Sequence, residues 1–483
     1  LEASSLPDSP KPGPVPVTIS QRRFYGATYL FDALATQLGI QEDLQQCFPK
    51  SYPQILSIAY YLILEDRNPL SRFPKWARMH VHPYGKELSS QRSSELFASI
   101  SEEARQRFFR LQVARRLEKE YLAYDTTSVS SYSKCLKVVQ YGHNKEHDPL
   151  PQLNLALVFG ERSRLPVYYR SLPGNIPDVK TLQELLCSLH FLDFPQQVKL
   201  VMDRGFYSSQ NINECYRKHL KFLLATKMSL KLVKEVWEER RHTMITRSHY
   251  STKHNLYVDT HLLSWDYTAI KPRSQDLIEE KKRLYLHLYF NDQRAVDDRK
   301  SFHDFLDKLE EELKAGSRNP EHEISYAKYF QVKKTPRRGI QITPLQEAIT
   351  EKEQNYGYFA LISNDIKDPL EAIEIYRAKD LVEKAFGNLK ERLNLRRTSV
   401  SSEENLEGKL FVQFIALTFL SYLQKAMSDH DQFKHYTLQE ALDELDIIEC
   451  IEQPGKRKRV SEMTQKQYDL YEVFGVTLPN TLV

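Results

Sequence analysis

The chain has 483 residues, 41% of them hydrophobic and 27% charged, with a formal net charge of +4 at pH 7. That length suits two to four domains around a sizeable core, and the composition is that of an ordinary globular protein rather than a disordered or fibrous one. Five scattered cysteines (Cys47, Cys135, Cys187, Cys215, Cys450) without CxxC spacing fit reduced thiols in a cytosol better than a disulfide framework or a zinc site.

Residues 1–20, opening LEASSLPDSPKPGPVPV, lack the apolar core of a signal peptide and read as a disordered tail. Residues 21–119 read as a helical N-terminal domain: FDALATQLGI and ISEEARQRFFRLQVARRLEKE space their apolar residues helically, and ILSIAYYLIL at 55–64 reads as a buried core helix. The character then changes. YLAYDTTSVS (121–130), PQLNLALVFGE (151–161) and LPVYYRSL (165–172) read as strands, and PGNIPD (173–178) opens the helix VKTLQELLCSLHFL. VKLVMDRGF (198–206) is a strand, SSQNINECYRKHL a helix and KFLLATK (221–227) a strand, so residues 120–227 describe an α/β layer with a mixed sheet.

Residues 228–355 blur into strand-prone stretches (NLYVDTHLLSWDYTAI, RLYLHLYFND), a charged helix at 302–314 and a basic loop, KKTPRR, at 333–338, and read as a separate β-rich insertion. From 356 to 427 the α/β layer resumes. GYFALISND (357–365) gives a strand. A helix then runs from 368 to about 393, with Asp368 as N-cap, Pro369 in its first turn and Glu371 three residues past the cap. An apolar helix follows near 403–427, and 428–483 reads as a small helical C-terminal appendage. No stretch reaches the roughly 18 uninterrupted apolar residues of a membrane helix.

The strand LVMD at 200–203 delivers a single carboxylate at its tip, beside a turn. Asp203 has company: Asp125 lies on the first strand of the layer, and carboxylates at strand ends of an α/β sheet converge on a shared crevice. On the 368–393 helix, at about 100° per residue, Tyr376, Lys379 and Lys390 fall within about 40° of Glu383. Val382, Phe386, Leu389 and Leu393 form an adjacent apolar stripe. By itself such a face is a solvated surface with i, i+4 Lys–Glu pairs. Together with Asp125 and Asp203 it supplies a third carboxylate, and three carboxylates suit hard divalent cations such as Mg²⁺, two of which can catalyse phosphoryl transfer.

In these residues the chain resembles the DDE transposases of bacterial insertion sequences, in the insertion-sequence-four superfamily and its Y-R-E-K signature group. YRAKDLVEKAFGNLK places Tyr376, Lys379, Glu383 and Lys390 on the spacing of that signature, with Lys379 where the family has Arg. YDTTS around Asp125, PGN followed by Asp178, and DRGF around Asp203 extend the resemblance over about 120 to 427. It implies an RNase H-like core interrupted by a β-rich insertion, which the 180 residues between Asp203 and Glu383 accommodate. It also implies Asp125, Asp203 and Glu383 as catalytic ligands of two Mg²⁺ ions, with Mn²⁺ as a substitute. The N-terminal domain would bind transposon ends, in a homodimeric synaptic complex with double-stranded DNA. The setting would be a bacterial cytoplasm, at the nucleoid when DNA is bound.

Residues 375–397 carry seven Lys/Arg against three Asp/Glu, a balance of +4 beside the expected metal site. Such patches bind phosphate backbones through counterion release. Tyr376, Lys379, Lys390, Arg377, Arg392, Arg396 and Arg397 are therefore the expected DNA contacts. KKTPRR and GKRKR (455–459) read as solvated loops before DNA contacts. Of Trp237 and Trp265 in the insertion, Trp265 is the candidate for stacking on a base, a role relatives assign to an aromatic there, although a core position suits it as well. His143 and His147 precede Asp148 in a loop and are not read as a metal pair. Gly205 after Asp203 is expected to allow close backbone approach. Two other readings stay open at this stage: a domesticated or inactive transposase that only binds DNA, and an RNase H-like nuclease without strand transfer.

Overall fold

A computed structural model describes residues 21–66, 68–115, 120–133, 135–145, 148–192, 197–270, 277–335, 339–453 and 458–479. The N-terminal tail, His147, residues 336–338 of the KKTPRR loop and residues 454–457, which begin the GKRKR loop, lie outside the described residues.

After a short strand β1 (Gln21–Phe24), six helices follow: α1 (Gly26–Gln37), α2 (Ile40–Cys47), α3 (Tyr52–Leu64), α4 (Phe73–Met79), α5 (Ser90–Ser99) and α6 (Glu102–Ala114). Their starts are written in the sequence. Ser89 and Ser101 accept hydrogen bonds from the Arg92 and Ala104 amides, and Pro53 sits in the first turn of α3 where its missing N–H costs nothing. The next segment holds β2 (Tyr121–Ser131), β3 (Gln152–Gly160), β4 (Pro166–Pro173), α7 (Asp178–Phe191), β5 (Lys199–Met202), α8 (Ser209–Arg217) and β6 (Lys221–Thr226).

The segment expected to be a separate β-rich insertion is neither separate nor mainly β. It carries α9 (Lys231–Arg240), β7 (Tyr250–Ser251), the long hairpin β8 (Leu256–Ile270) and β9 (Leu277–Phe290), α10 (Asp292–Ala315), α11 (Glu323–Tyr329), β10 (Phe330–Thr335), β11 (Gly339–Pro344) and α12 (Gln346–Glu353). Then come β12 (Tyr358–Ser363), α13 (Pro369–Arg377), α14 (Asp380–Gly387), β13 (Arg397–Thr398), α15 (Glu403–Asp429), α16 (Leu438–Asp446), β14 (Glu449–Glu452), β15 (Arg459–Val460) and α17 (Gln465–Val473).

One ten-stranded mixed sheet orders these strands β4-β3-β2-β5-β6-β12-β9-β8-β7, with β13 added alongside β2. β9 pairs antiparallel with β12, so the insertion's hairpin extends the main sheet. The reason lies in β9 itself. Its outer half, LIEEKKR, is largely exposed, whereas its inner half, LYLHLYF, is a continuous buried run, the pattern of a strand covered on both faces.

α15 is long and apolar enough by length and composition to cross a membrane, but 78% of its most apolar 18-residue window is buried inside the protein. It packs against α3 and α5, where Gly408 lies so close to the Phe97 carbonyl that a Cβ would stand 2.1 Å from it. The C-terminal region is also not purely helical. β14 pairs with both β1 and β15, joining the two ends of the described chain in one small sheet.

Candidate active site

The first two carboxylates meet because of strand register. β2 and β5 run parallel, and their pairing ends at Tyr124 opposite Met202. The next residue in each segment is an aspartate, so Asp203, just past the end of β5, comes beside Asp125, which lies within β2 at the point where β5 stops pairing with it. Asp203 also caps the single 3-10 turn Arg204–Phe206, its Oδ1 accepting from the Arg204 amide at 2.8 Å.

The third carboxylate arrives on α14. Val382, Ala385 and Phe386 bury one face of this helix against β2 and β3, which leaves Glu383 exposed beside the crevice. The Tyr376 hydroxyl donates to Asp203 Oδ1 at 3.0 Å. Lys379 Nζ lies 3.1 Å from Glu383 Oε1 and 3.5 Å from Asp203 Oδ2, with only a tenth of its side chain exposed. One ammonium thus ties two of the three carboxylates together. The helix is not the uninterrupted one expected: it breaks between Arg377 and Asp380, and Asn388–Arg392 winds as a π turn. Both irregularities fall beside the site, as π segments often do.

The site opens as a cavity of about 390 Å³ whose lining includes Asp125, Asp203, Glu383, Lys379, Lys390 and Arg396. Burial holds the Asp125 carboxyl above its usual range, with Asp203 adding to the rise and Lys145 and Lys379 pulling against it. For Asp203 burial also acts upward, but Lys379, the Arg204 amide and the Tyr376 hydroxyl outweigh it and hold the carboxyl below its ordinary value. Burial would lower Lys379, yet Asp203, Asp125 and Glu383 together raise it, so it stays an ammonium. Tyr376 is pushed far upward by burial and then by Asp203, and remains a hydroxyl donor.

Four expected contacts go elsewhere. Arg377 reaches His254 Nδ1 at 3.3 Å, Arg392 donates to Gln439 on α16 at 2.9 Å, and Arg397 pairs with Asp148 at 3.0 Å and donates to the Tyr132 hydroxyl. Trp265 donates its indole N–H to Asn213 on α8 at 2.8 Å, tethering β8 to the core rather than lining this cavity. Within the basic run 375–397, Arg377, Arg392 and Arg397 are thus held by different parts of the fold, while Lys379, Lys390 and Arg396 line the cavity. Gly205 is not required sterically either: a Cβ there would meet only Asp178, at an ordinary 3.5 Å.

Two residues to which the sequence assigns no role join the site. Lys145, from the loop between β2 and β3, donates to the Thr126 carbonyl at 2.7 Å and hydroxyl at 3.0 Å, and lies 3.1 Å from Asp178 Oδ2. The Thr126 hydroxyl donates to Asp178 Oδ1 at 2.6 Å. The sequence signal for Asp178 is its place after PGN; for Lys145, in GHNKEH, there is none beyond a charge in a loop.

Among the described residues, no three acidic, histidine or cysteine side chains are close enough to hold one metal ion together. Asp203 lies close enough to Asp125 to raise its cost of ionisation, while Glu383 is held on Lys379. All donors are carboxylate oxygens, the set a hard divalent cation prefers. The chemistry of these donors fits such an ion, which Asp125, Asp203 and Glu383 would hold.

A family model for the transposase DDE domain matches residues 117–419, more than half of the chain and the whole of this site. The chain belongs to the DDE transposases. Membership makes this transposase one of a family of polynucleotidyl transferases that generally use divalent metal ions. No curated protein matches it. Among solved structures it is similar to a piggyBac transposase synaptic complex with hairpin DNA, determined by cryo-electron microscopy, at 9% identity and a TM-score of 0.36, covering 92% of this chain and 70% of that one. A likeness that loose carries no argument here.

Proposed function

We propose that this transposase cuts DNA at the ends of an insertion sequence and joins the freed ends to target DNA, as a member of the insertion-sequence-four superfamily and its Y-R-E-K group. The observation that carries the reading is the meeting of Asp125 and Asp203 where β5 ends beside β2, with Glu383 tied to Asp203 through Lys379.

Asp125, Asp203 and Glu383 would hold two divalent cations, Mg²⁺ or Mn²⁺. When bound, these supply charge neutralisation and Lewis acidity for in-line displacement at phosphorus. The protein's own groups do the positioning. Tyr376 fixes the Asp203 carboxylate through its hydroxyl, and Lys379 keeps Glu383 and Asp203 on a common cation. Lys390 and Arg396 line the cavity and would face the phosphates of double-stranded DNA. Water serves as nucleophile in cleavage, and the released 3′-hydroxyl in strand transfer. Two copies of the chain would hold two ends, in a bacterial cytoplasm and at the nucleoid.

A second reading is favoured by one observation. The Lys379 ammonium stands among the carboxylates where a metal ion would bind, and as a compact point charge it cannot grip phosphate in two directions as Arg does. That suits a transposase that binds DNA without cutting it.

Cleavage of a labelled duplex carrying the native terminal sequence, with Mg²⁺ or Mn²⁺, separates the readings. Nicks at the element boundary that vanish in Glu383→Ala support transposition, and joined products exclude a simple nuclease. Binding without any cut in either metal would leave the DNA-binding reading in place.

A further inference from the structure

Tyr376 and Lys379, the two side chains that hold Asp203, come from the C-terminal end of α13 and from the break that follows it. What fixes that helix lies largely in the insertion. Ala372, Ile373 and Ile375, the buried face of α13, share one apolar cluster with Leu256 of β8 and Tyr289 of β9. The Tyr289 hydroxyl donates to the Pro369 carbonyl at 2.7 Å, so the insertion also holds the first residue of the helix.

At the other end of α13 stands His254, in the turn between β7 and β8. Its side chain is only 7% exposed, with Nε2 3.0 Å from Glu374 Oε1 and Nδ1 3.3 Å from the Arg377 guanidinium. A guanidinium only donates, so Nδ1 accepts, and the ring proton sits on Nε2 and goes to Glu374. One neutral imidazole thus joins two residues a turn apart on the helix, on either side of Tyr376 in sequence. The turn that carries it is braced in its own right. Asn255 is held at a φ of +55°, and its carbonyl accepts from the side chain of Asn291, the N-cap of α10, at 2.9 Å. Lys253 also reaches Glu374, but its side chain is 76% exposed, and solvent weakens such a pair.

We propose that His254 is a positioning residue for the carboxylate site. It holds the end of α13 where the Tyr376 hydroxyl reaches Asp203, so that the insertion sets the geometry of the site through one turn. The effect on cleavage rests on the transposase reading, whereas the hold on α13 needs neither metal nor DNA.

The test has two arms, both on the full chain. The first is amide hydrogen exchange in EDTA. The Ala378, Lys379, Leu381 and Val382 amides donate across the break between α13 and α14. In His254→Ala the peptide holding them is expected to exchange about tenfold faster, with peptides from β2 and β5 unchanged. Unchanged exchange at the break, or an equal loss of protection in β2 and β5, would overturn the proposal. The second arm is single-turnover cleavage in a double-mutant cycle with Tyr376→Phe. His254→Ala is expected to slow cleavage by about tenfold, with duplex affinity within about twofold of wild type. His254→Gln, which supplies one donor and one acceptor, should recover most of the rate. In the Tyr376→Phe background His254→Ala should cost no more than about twofold, because the two residues act through one contact. Full additivity of the two losses would remove His254 as a positioning residue. A wild type that never cuts removes the transposase reading, and hydrogen exchange then decides the role of His254 by itself.

Discussion

Lys379 Nζ stands 3.5 Å from Asp203 Oδ2 and 3.1 Å from Glu383 Oε1, so a side chain four residues before Glu383 links it to a strand 180 residues earlier in the chain. Removing that largely buried ammonium leaves carboxylates facing one another without its counter-charge, a cost reduced by their partial exposure to solvent. Lys379→Met is expected to lose roughly 1–3 kcal/mol of stability in EDTA, and to regain most of it with Mg²⁺ at millimolar concentration. Thermal denaturation in the two conditions checks this. A variant as stable as wild type in EDTA would show that the ammonium does not balance the site.

Lys145 holds the Thr126 backbone and Asp178 together at the edge of the site and lowers the cost of a charged Asp125. Lys145→Met is expected to reduce cleavage by about 10- to 100-fold, the effect of misplacing a catalytic group by a fraction of an ångström to 1 Å. DNA binding should change much less. Single-turnover cleavage and equilibrium binding, measured on the same preparation, separate the two. Loss of binding in proportion to cleavage would make Lys145 a DNA contact instead.

Stability should fall between pH 6.5 and 4. Burial lowers both His82 and His287 from an ordinary 6.5 to about 4. Below pH 6.5 the unfolded chain takes up protons that the folded one refuses. The stability these neutral histidines contribute is therefore full above 6.5 and is lost as pH falls towards 4, by an amount on the order of a few kcal/mol for each. Asp32 works in the opposite sense, because burial raises it from 3.8 to about 6 and the folded state binds its proton more readily over that range. Urea unfolding at pH 7 and pH 5 is expected to show lower stability at pH 5, with the difference reduced in His287→Phe. An unchanged pH dependence in that variant would remove His287 from the account.

Trp265 donates to Asn213 and is half-buried where β8 lies against α8. Trp265→Phe keeps an aromatic ring but loses that hydrogen bond. It is expected to cost about 1 kcal/mol of stability, with cleavage within about twofold of wild type. A collapse of cleavage at unchanged melting temperature would restore Trp265 as a contact to a DNA base.

The strands and helices of the core are legible in the sequence, as are the three carboxylates with their Tyr and Lys companions. Each rests on local geometry. Alternation marks strands, caps such as Asp368 mark helix starts, and i, i+4 spacing puts Lys379 beside Glu383 on any helix. The separation of the basic run at 375–397 is not legible, because net charge counts residues without regard to the face each one takes, and Arg392 turns to α16 while Arg397 turns to Asp148. The π turn at Asn388–Arg392 lies beyond the reach of a regular helical wheel.

By itself, then, the sequence determined the residue types of the site, their family, and the local elements that carry them. Only the tertiary structure decided that β2 and β5 pair in the register that sets Asp125 beside Asp203, and that a loop lysine enters the site at Thr126 and Asp178. It also decided that the hairpin of the insertion extends the main sheet and that His254 meets the end of α13. The physical reason is separation along the chain. Backbone geometry fixes neighbours within one or two turns, whereas contacts across tens to hundreds of residues depend on which strands pair and which faces pack, and no short stretch of sequence encodes that alone.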